Sequence, residues 1–274
     1  MHINCNGKLL DFKAPKVMGI LNLTPDSFYD GGRKTTQQDF LSHAEKMLKE
    51  GADIIDVGAY SSRPGAKNIS LQEELDRIVP VVEALRKRFP EVILSIDTFR
   101  SEVARRCVHA GAAIINDISG GTLDAEMLPT AAELQVPYIL MHMRGTPKNM
   151  NQLTTYDNLV RDMLFYFSQR IKHARELGIN DLIIDPGFGF SKTLEQNYEL
   201  MGKLELFHNL DLPILSGISR KSMIYKLFDT TPDHALNGTT VLNTVSLLKG
   251  AHILRVHDVK QAVECVKMVG LMKV

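Results

Sequence analysis

Eight short apolar segments recur along this chain, each followed by a stretch with helical spacing, and few folds can accommodate that rhythm. They lie at 17–22, 53–57, 92–96, 113–116, 137–141, 181–185, 213–217 and 252–256. Each has the length of a strand, and their nearly continuous apolar character means burial on both faces, as in a parallel sheet covered by helices. Between them Phe40, Leu41, Ala44, Met47 and Leu48 share one face of a helix expected at 37–50 and stopped by Gly51. Further helices are expected at 71–89, up to Ala110, at 124–135, at 156–177 and up to about 207. A helical region reaching Lys249 should break near Thr231-Pro232, and Val259, Ala262, Val263, Val266 and Val269 mark the last helix. Ser70 with Glu73, and Thr193 with Gln196, stand at capping-box spacing. Eight such units in about 250 residues predict the α/β class and a (β/α)8 TIM barrel. A doubly wound open sheet is the other solution to the same pattern. Residues 1–14 read as a short N-terminal β-hairpin turning at Asn6-Gly7, a type I′ signal. No low-complexity linker divides the chain, so 1–274 is expected to form a single domain.

Charge then excludes whole classes of partner. Thirty-two basic residues balance 32 acidic ones, which predicts no nucleic acid and no membrane surface as partner. No apolar run approaches the roughly 20 residues of a bilayer span. The N-terminus lacks a basic region followed by an apolar core, so no signal peptide is expected. Cys5, Cys107 and Cys265 are odd in number and lack metal-ligand spacing, as buried thiols of a cytoplasmic protein would be. Dinucleotide, P-loop, HExxH and CxxC motifs are all absent, and the nine histidines show no metal-binding spacing.

In a parallel barrel the C-terminal strand ends converge on one face, where sites are built. Here those ends carry Asn22, Ser61-Ser62-Arg63, Asp97, Asn116, His142, Asp185, Ser219-Arg220-Lys221, and Arg255 with His257. Any single Asp or Asn in such a place has a plain alternative as a helix N-cap, and Asp258 suits that role best. Taken together they make chemical sense. Arg63, Arg220, Lys221, Arg255 and His257 suit a phosphorylated substrate. Asp97, Asn116 and Asp185 are acceptors suited to the N–H edge of a flat heterocycle. Asn22 offers a neutral oxygen to a hard cation that keeps water and phosphate ligands, a description that fits Mg²⁺.

Nine collinear motifs then carry a resemblance. Asn22-Leu-Thr-Pro-Asp-Ser-Phe-Tyr-Asp-Gly-Gly32, Asp56-Val-Gly58, Ser62-Arg-Pro-Gly65, Ser95-Ile-Asp-Thr98 and Ile115-Asn-Asp117 are followed by four more. These are Met141-His-Met143, Asp185-Pro-Gly-Phe-Gly-Phe190, Ser219-Arg-Lys-Ser222 and Arg255-Val-His-Asp258. Over nearly its whole length the chain resembles the bacterial dihydropteroate synthases, pterin-binding TIM-barrel enzymes of folate synthesis. The resemblance implies condensation of 6-hydroxymethyl-7,8-dihydropterin diphosphate with 4-aminobenzoate, Mg²⁺ as cofactor, a homodimer and sensitivity to sulfonamides. By motif, Asp97, Asn116, Asp185, Lys221, Arg255 and Met141 would hold the pterin. Asn22, Ser62, Arg63, Arg255 and His257 would meet the diphosphate, with Asn22 also contributing to Mg²⁺. Pro64, Phe190, Ser219, Arg220 and Lys221 would form the aminobenzoate side, helped by N–H groups at the helix start after Ser219. The catalytic group would be Asn22, Arg63, Lys221, Arg255 and His257.

Such a reaction needs leaving-group stabilisation more than a base. The pterin methylene can share developing positive charge with the ring, so an SN1-like ionisation with no covalent enzyme intermediate is expected. Loops 23–36 and 58–69 are long enough to close over it. Two departures stand out: Tyr60 where this family commonly has Glu, and Phe99-Arg100 where Ser-Lys is usual. A corrinoid-dependent methyltransferase would share the Asp/Asn pterin site but would not need the diphosphate cluster or Ser219–Ser222. A non-catalytic pterin carrier would not need Asn22, Arg63, Lys221 and His257.

Overall fold

The computed structural model describes residues 1–23, 36–61 and 68–272. Most of the two long loops, with Ser62, Arg63 and Pro64, therefore lies outside the described residues. The hairpin is present as β1 (His2–Cys5) and β2 (Lys8–Asp11), antiparallel. Its turn residues Asn6 (φ 51°) and Gly7 (φ 83°) both adopt the left-handed conformation that a type I′ turn requires.

Eight parallel strands follow: β3 (Lys16–Asn22), β4 (Ile54–Gly58), β5 (Ile93–Asp97), β6 (Ile114–Asp117), β7 (Tyr138–Met141), β8 (Leu182–Asp185), β9 (Leu215–Ser216) and β10 (Ile253–Val256). They lie in the order β8-β7-β6-β5-β4-β3-β10-β9, and a bridge between Ile184 and Ile214 joins the two ends into a barrel. The helices are α1 (Gln37–Glu50), α2 (Leu71–Arg88), α3 (Ser101–His109), α4 (Met127–Leu134), α5 (Leu159–Glu176), α6 (Leu194–Gly202), α7 (Ser222–Tyr225), α8 (Leu236–Leu248) and α9 (Val259–Met272). None is long and apolar enough to cross a membrane.

Some elements are shorter than the sequence pattern implies. The helix expected to reach 207 ends at Gly202 and continues as a 3₁₀ turn, Leu204–Leu210. β9 keeps only two residues: Pro213 has no N–H to give, and the Ile214 N–H donates to His252 Nδ1 at 3.0 Å instead of to the ladder. The helical region before Lys249 does break at Thr231-Pro232, leaving α7 as a single turn before α8. Thr193 and Gln196 form a full capping box. Ser70 accepts from the Glu73 N–H, but the Glu73 carboxylate turns to Arg77 instead of back to the cap.

Strand parity organises the interior. Met18, Ile54, Ile93, Ile114, Ile139, Ile183, Leu215 and Ile253 point into the barrel and form one buried cluster. Their neighbours Val17, Ile55, Leu94, Ile115, Leu140, Ile184 and Leu254 point outward into the core shared with the helices. Two opposite apolar faces explain why the strands read as unbroken apolar runs. The inner cluster also takes in Ile3, Cys5, Leu10 and Phe12 of the hairpin, which therefore closes the N-terminal end of the barrel. Its polar groups reach the same rim: the Asn4 N–H donates to Asp181, Asn6 Nδ2 to Ala112 O, and Lys8 Nζ to Glu91 O.

Candidate active site

One step up each strand from the apolar floor, the inward parity brings Asp56, Ser95, Asn116, Met141, Asp185, Gly217 and Arg255 together; a further step brings Asn22, Gly58 and Asp97. The registers place Asp56 beside Ser95, Asp97 beside Asn116, Met141 beside Asp185, and Asn22 beside Gly58. Strand direction sends these residues to the C-terminal mouth, and the pleat turns them inward. Glycine keeps room among them. A Cβ on Gly58 would stand 3.2 Å from Asp97 Cβ, and one on Gly217 would lie 3.8 Å from Asp185 Oδ2 and 3.9 Å from Arg255 Cβ.

The polar members are wired together. Arg255 donates from Nε to Asp56 Oδ2 at 2.6 Å and from Nη2 to Asp97 Oδ2 at 2.6 Å. Asp56 Oδ2 also accepts from Asn116 Nδ2 at 3.0 Å. This bond turns the nitrogen of Asn116 toward Asp56 and leaves its oxygen as the group available to a ligand. Asp56 has no exposed surface, and its Oδ1, like Ser95 Oγ, has no hydrogen-bond partner among the described residues. On the other side of the mouth, Asp185 Oδ1 accepts from the Gly187 N–H at 2.7 Å.

Crowded carboxylates and buried cations shift each other's protonation. Burial pushes Asp97 up to about 7; Arg255 opposes the shift, and Asp56 adds to it. Burial also raises Asp185, against the pull of Lys221 and the Gly187 N–H. Lys221 is brought down to about 8 by burial, with Asp185 opposing and Arg255 contributing. Burial works against the Arg255 cation too, but Asp56 and Asp97 outweigh it and hold its pKa above the ordinary arginine value.

The segment after β8 and the one after β9 form the other wall. Lys221 Nζ donates to Phe188 O and stands 4.5 Å from the centre of the Phe190 ring. Phe190 packs with Ile118, Met141, Met143 and Met150, so Met141 joins the acceptor layer to this apolar wall. Ser219 Oγ lies 3.0 Å from His257 Nδ1 and accepts from the His257 N–H at 3.1 Å.

Known proteins resemble this chain over nearly its whole length. The family model described as pterin binding enzyme matches residues 18–257. Dihydropteroate synthase of Escherichia coli (strain K12) is 46% identical over 271 residues, 98% of this chain and 95% of the relative. The chain belongs to the dihydropteroate synthase family of pterin-binding enzymes. Among solved structures, Yersinia pestis dihydropteroate synthase in a sulfonamide drug complex superposes with a TM-score of 0.94 at 45% identity, covering 100% of this chain and 99% of that one. The Xanthomonas albilineans dihydropteroate synthase with 4-aminobenzoic acid gives 0.93 at 38% identity, covering 99% and 98%.

Against this family background, the remaining candidates divide. Asp97, Asn116, Asp185, Arg255, Met141, Phe190, Lys221, Ser219 and His257 are gathered at one mouth. Arg220, with φ 54°, is committed elsewhere: its Nε and Nη2 donate to both oxygens of Asp258 at 2.9 and 2.7 Å. The Asp258 carboxylate is thus in an ion pair, while its backbone oxygen accepts from the Ala262 N–H at the start of α9. α7, the helix after Lys221, is one turn long, so any anion there meets individual N–H groups and little macrodipole. The two departures, Tyr60 and Phe99-Arg100, prove to be one cluster behind Asp97. Tyr60 and Phe99 meet edge to face at 4.9 Å, the Arg100 guanidinium lies 5.6 Å from each ring, and Arg100 pairs with buried Glu74 at 2.7 Å.

In the sequence Asp56 is visible only as part of the Asp56-Val-Gly58 motif, with no role attached. Its part in the network could have been found by parity, since it stands two residues beyond the inward Ile54. The site's fit to Mg²⁺ is limited. Among the described residues no group of three or more His, Cys, Asp or Glu could hold a metal, and Asn22 supplies one neutral oxygen at the end of β3. That donor set suits an ion carried mainly by water and phosphate oxygens.

Proposed function

We propose that this barrel condenses (7,8-dihydropterin-6-yl)methyl diphosphate with 4-aminobenzoate, releasing 7,8-dihydropteroate and diphosphate in folate synthesis. The observation that carries the reading is the inward layer that brings Asp97, Asn116 and Asp185 to one mouth, with Gly58 beside Asp97 and Gly217 beside Asp185, next to the wall of Lys221 and Phe190. Asn116 Oδ1 and the carboxylates accept the N–H groups along one edge of the pterin. Lys221 donates to a ring acceptor, and the guanidinium of Arg255, held by two carboxylates, offers its plane to the ring face. His257 and Arg255 would meet the charge that builds on the leaving diphosphate, and Arg63 and Ser62 are assigned to it by motif. Mg²⁺, held by Asn22 and phosphate oxygens, would supply further neutralisation of that leaving group when bound. Positive charge on the methylene is shared with the pterin ring and lies close to the raised carboxylates Asp97 and Asp185. The aniline nitrogen of aminobenzoate, held flat against Phe190, then attacks, and its proton passes to water. Ser219 and the N–H groups after Lys221 receive the aminobenzoate carboxylate.

The same proposal includes a cytoplasmic homodimer. Val241 and Leu248 of α8 and Met268 and Leu271 of α9 are exposed apolar residues on helices that pack side by side. Sedimentation at micromolar concentration checks it, and a monomer across the working range would count against it. The reaction is tested with purified protein, the pterin diphosphate, labelled aminobenzoate and Mg²⁺. Labelled dihydropteroate is the expected product; its absence from folded protein would overturn the assignment.

A further inference from the structure

The loop that follows β8 is built around a buried lysine that has no part in the chemistry above. Lys192 is 8% exposed, and its Nζ lies 2.9 Å from Gly187 O, 2.9 Å from Phe190 O and 3.2 Å from His142 Nδ1. An ammonium group has three N–H donors, and here each has one acceptor. Accepting at Nδ1 requires a neutral His142 with its proton on Nε2, and burial, with Lys192 and Arg144 nearby, pushes the His142 pKa well below its ordinary value. The ring is enclosed by Tyr166 at 4.9 Å, Tyr156 at 6.1 Å and Phe167 at 6.2 Å. The chain curls round Lys192 through left-handed Gly187 (φ 70°), Gly189 (φ 79°) and Ser191 (φ 51°), so its carbonyls turn inward onto one cation. Lys221 meets the loop from the other side at Phe188 O.

We propose that Lys192 is a positioning residue for the aminobenzoate half of the site: its ammonium group draws in Gly187 O and Phe190 O and ties them to His142, fixing the Phe190 ring against Lys221. The inference rests on the reaction proposed above and adds a residue that sets its second substrate's pocket. Other bonds hold the loop elsewhere: Ser191 exchanges hydrogen bonds with the Arg144 backbone at 2.8 and 2.9 Å, and its carbonyl accepts from Tyr156 at 2.9 Å. Among the described residues no other side chain donates to Gly187 O or Phe190 O. The Phe190 N–H bonds to Gly187 O at 3.1 Å, within the same curl, and the Gly189 N–H bonds to Asn197 Oδ1 at 2.6 Å, which anchors one residue only. Losing one charge-assisted bond leaves a buried carbonyl unsatisfied, which is worth about tenfold or more in the population of the ordered loop.

Protonation adds a second handle. Burial brings Lys192 down to about 7, with Asp185 opposing and Lys221 and Arg144 contributing. The groups facing it are His142 at the end of β7, Arg144 and Tyr156 of the following loop, Asp185 of β8 and Lys221. Neutral Lys192 keeps only two donors for three acceptors, so the loop loosens as pH rises through about 7.

The test compares wild type with Lys192→Met and Lys192→Arg. In Lys192→Met, KM for aminobenzoate should rise by about tenfold or more while KM for the pterin diphosphate changes by less than about threefold. Lys192→Arg keeps a permanent cation, so its KM for aminobenzoate should stay flat between about pH 6 and 7.5, below the range in which Lys221 titrates, where the wild-type value climbs. Hydrogen exchange at the Gly189 and Phe190 amides reads the loop without turnover, and should be about tenfold faster in Lys192→Met with the barrel strands unchanged. A folded Lys192→Met with wild-type KM and wild-type exchange overturns the proposal. If Lys192→Met does not fold, the Arg variant decides, and the same climb of KM between about pH 6 and 7.5 in that variant overturns it. Absence of turnover in the wild type would strike the reaction assignment alone, leaving the exchange result to judge Lys192.

Discussion

Replacing Asp56 with alanine is the most informative perturbation of this barrel, because one carboxylate oxygen holds both Arg255 and Asn116. Removing a partner from a buried ion pair destabilises by about 3–5 kcal/mol. Arg255 keeps Asp97 as its second partner at 2.6 Å, which argues for the lower end. The Asn116 Nδ2 group, left unpaired in a residue 4% exposed, adds about 1 kcal/mol or more. A total near 4 kcal/mol lowers the melting temperature by about 8–16 °C for a chain of this size. Freed from Asp56, the Asn116 carboxamide can turn and offer nitrogen where the pterin needs oxygen, so pterin affinity should fall by about 10–100-fold. Asp56→Asn, which keeps the shape and one acceptor but loses the charge, should show about half the thermal effect. Asp97 supplies an independent readout: the Asp56 charge helps raise it to about 7, so its titration should move to lower pH in either variant. Calorimetry, equilibrium pterin binding and carboxyl-carbon NMR measure the three effects. An alanine variant melting within about 2 °C of wild type and binding pterin equally well would refute the view that Asp56 orients the acceptor layer.

Other expectations follow from the same geometry. Lys221→Ala should fold, because the residue starts a single-turn helix, yet lose turnover by about 100-fold or more in steady-state assay; near-normal turnover would remove its assigned role. Asp185→Asn should weaken pterin binding by about tenfold or more, measured by titration calorimetry, and unchanged affinity would take Asp185 out of the pterin site. Gly187→Ala should be among the most damaging single changes, since its Cβ would fall 2.2 Å from the backbone oxygen of His142 at φ 70°; soluble yield and thermal unfolding report it, and a wild-type melting curve would show the loop shape to be wrong. Lys221 sheds its proton near 8 instead of the ordinary 10.5, so turnover should decline as pH rises through about 8. The sign for folding is opposite: between 8 and 10.5 the unfolded chain binds more protons, so this residue makes the fold more stable as pH rises across that window, as denaturation at several pH values can check.

Much of this was legible in the residues. Apolar runs of strand length alternating with helical spacing require a barrel-like solution, and Asn6-Gly7 announces its own turn. Polar residues at strand ends are visible because, although any one of them could cap a helix, all of them together converge on one mouth. What stayed hidden depends on parity and on tertiary contacts. Asp56 sits between Ile55 and Val57 in what looks like an ordinary buried strand; parity puts it on the same face as Ile54, and register with the neighbouring strands shows that this face is the inward one. Lys192 looks like a solvated lysine beside a helix cap, since burial of an ammonium depends on carbonyls that the loop supplies only once folded. Arg220 looked like part of an anion site because it adjoins Lys221, but its left-handed backbone turns the side chain to Asp258. Tyr60 and Phe99-Arg100 read as two unrelated departures, although they are one packed cluster separated by some forty positions of chain.

The hairpin laid across the lower rim makes the barrel a cul-de-sac. A guest on the acceptor layer has the apolar floor under it and a second guest between it and the C-terminal mouth. Traffic through one door is a queue: the deeper guest must enter first, and two guests once joined must back out as one body. Aminobenzoate that arrives first would stand in the pterin's way, so a large excess of it should slow the reaction when the pterin diphosphate is scarce.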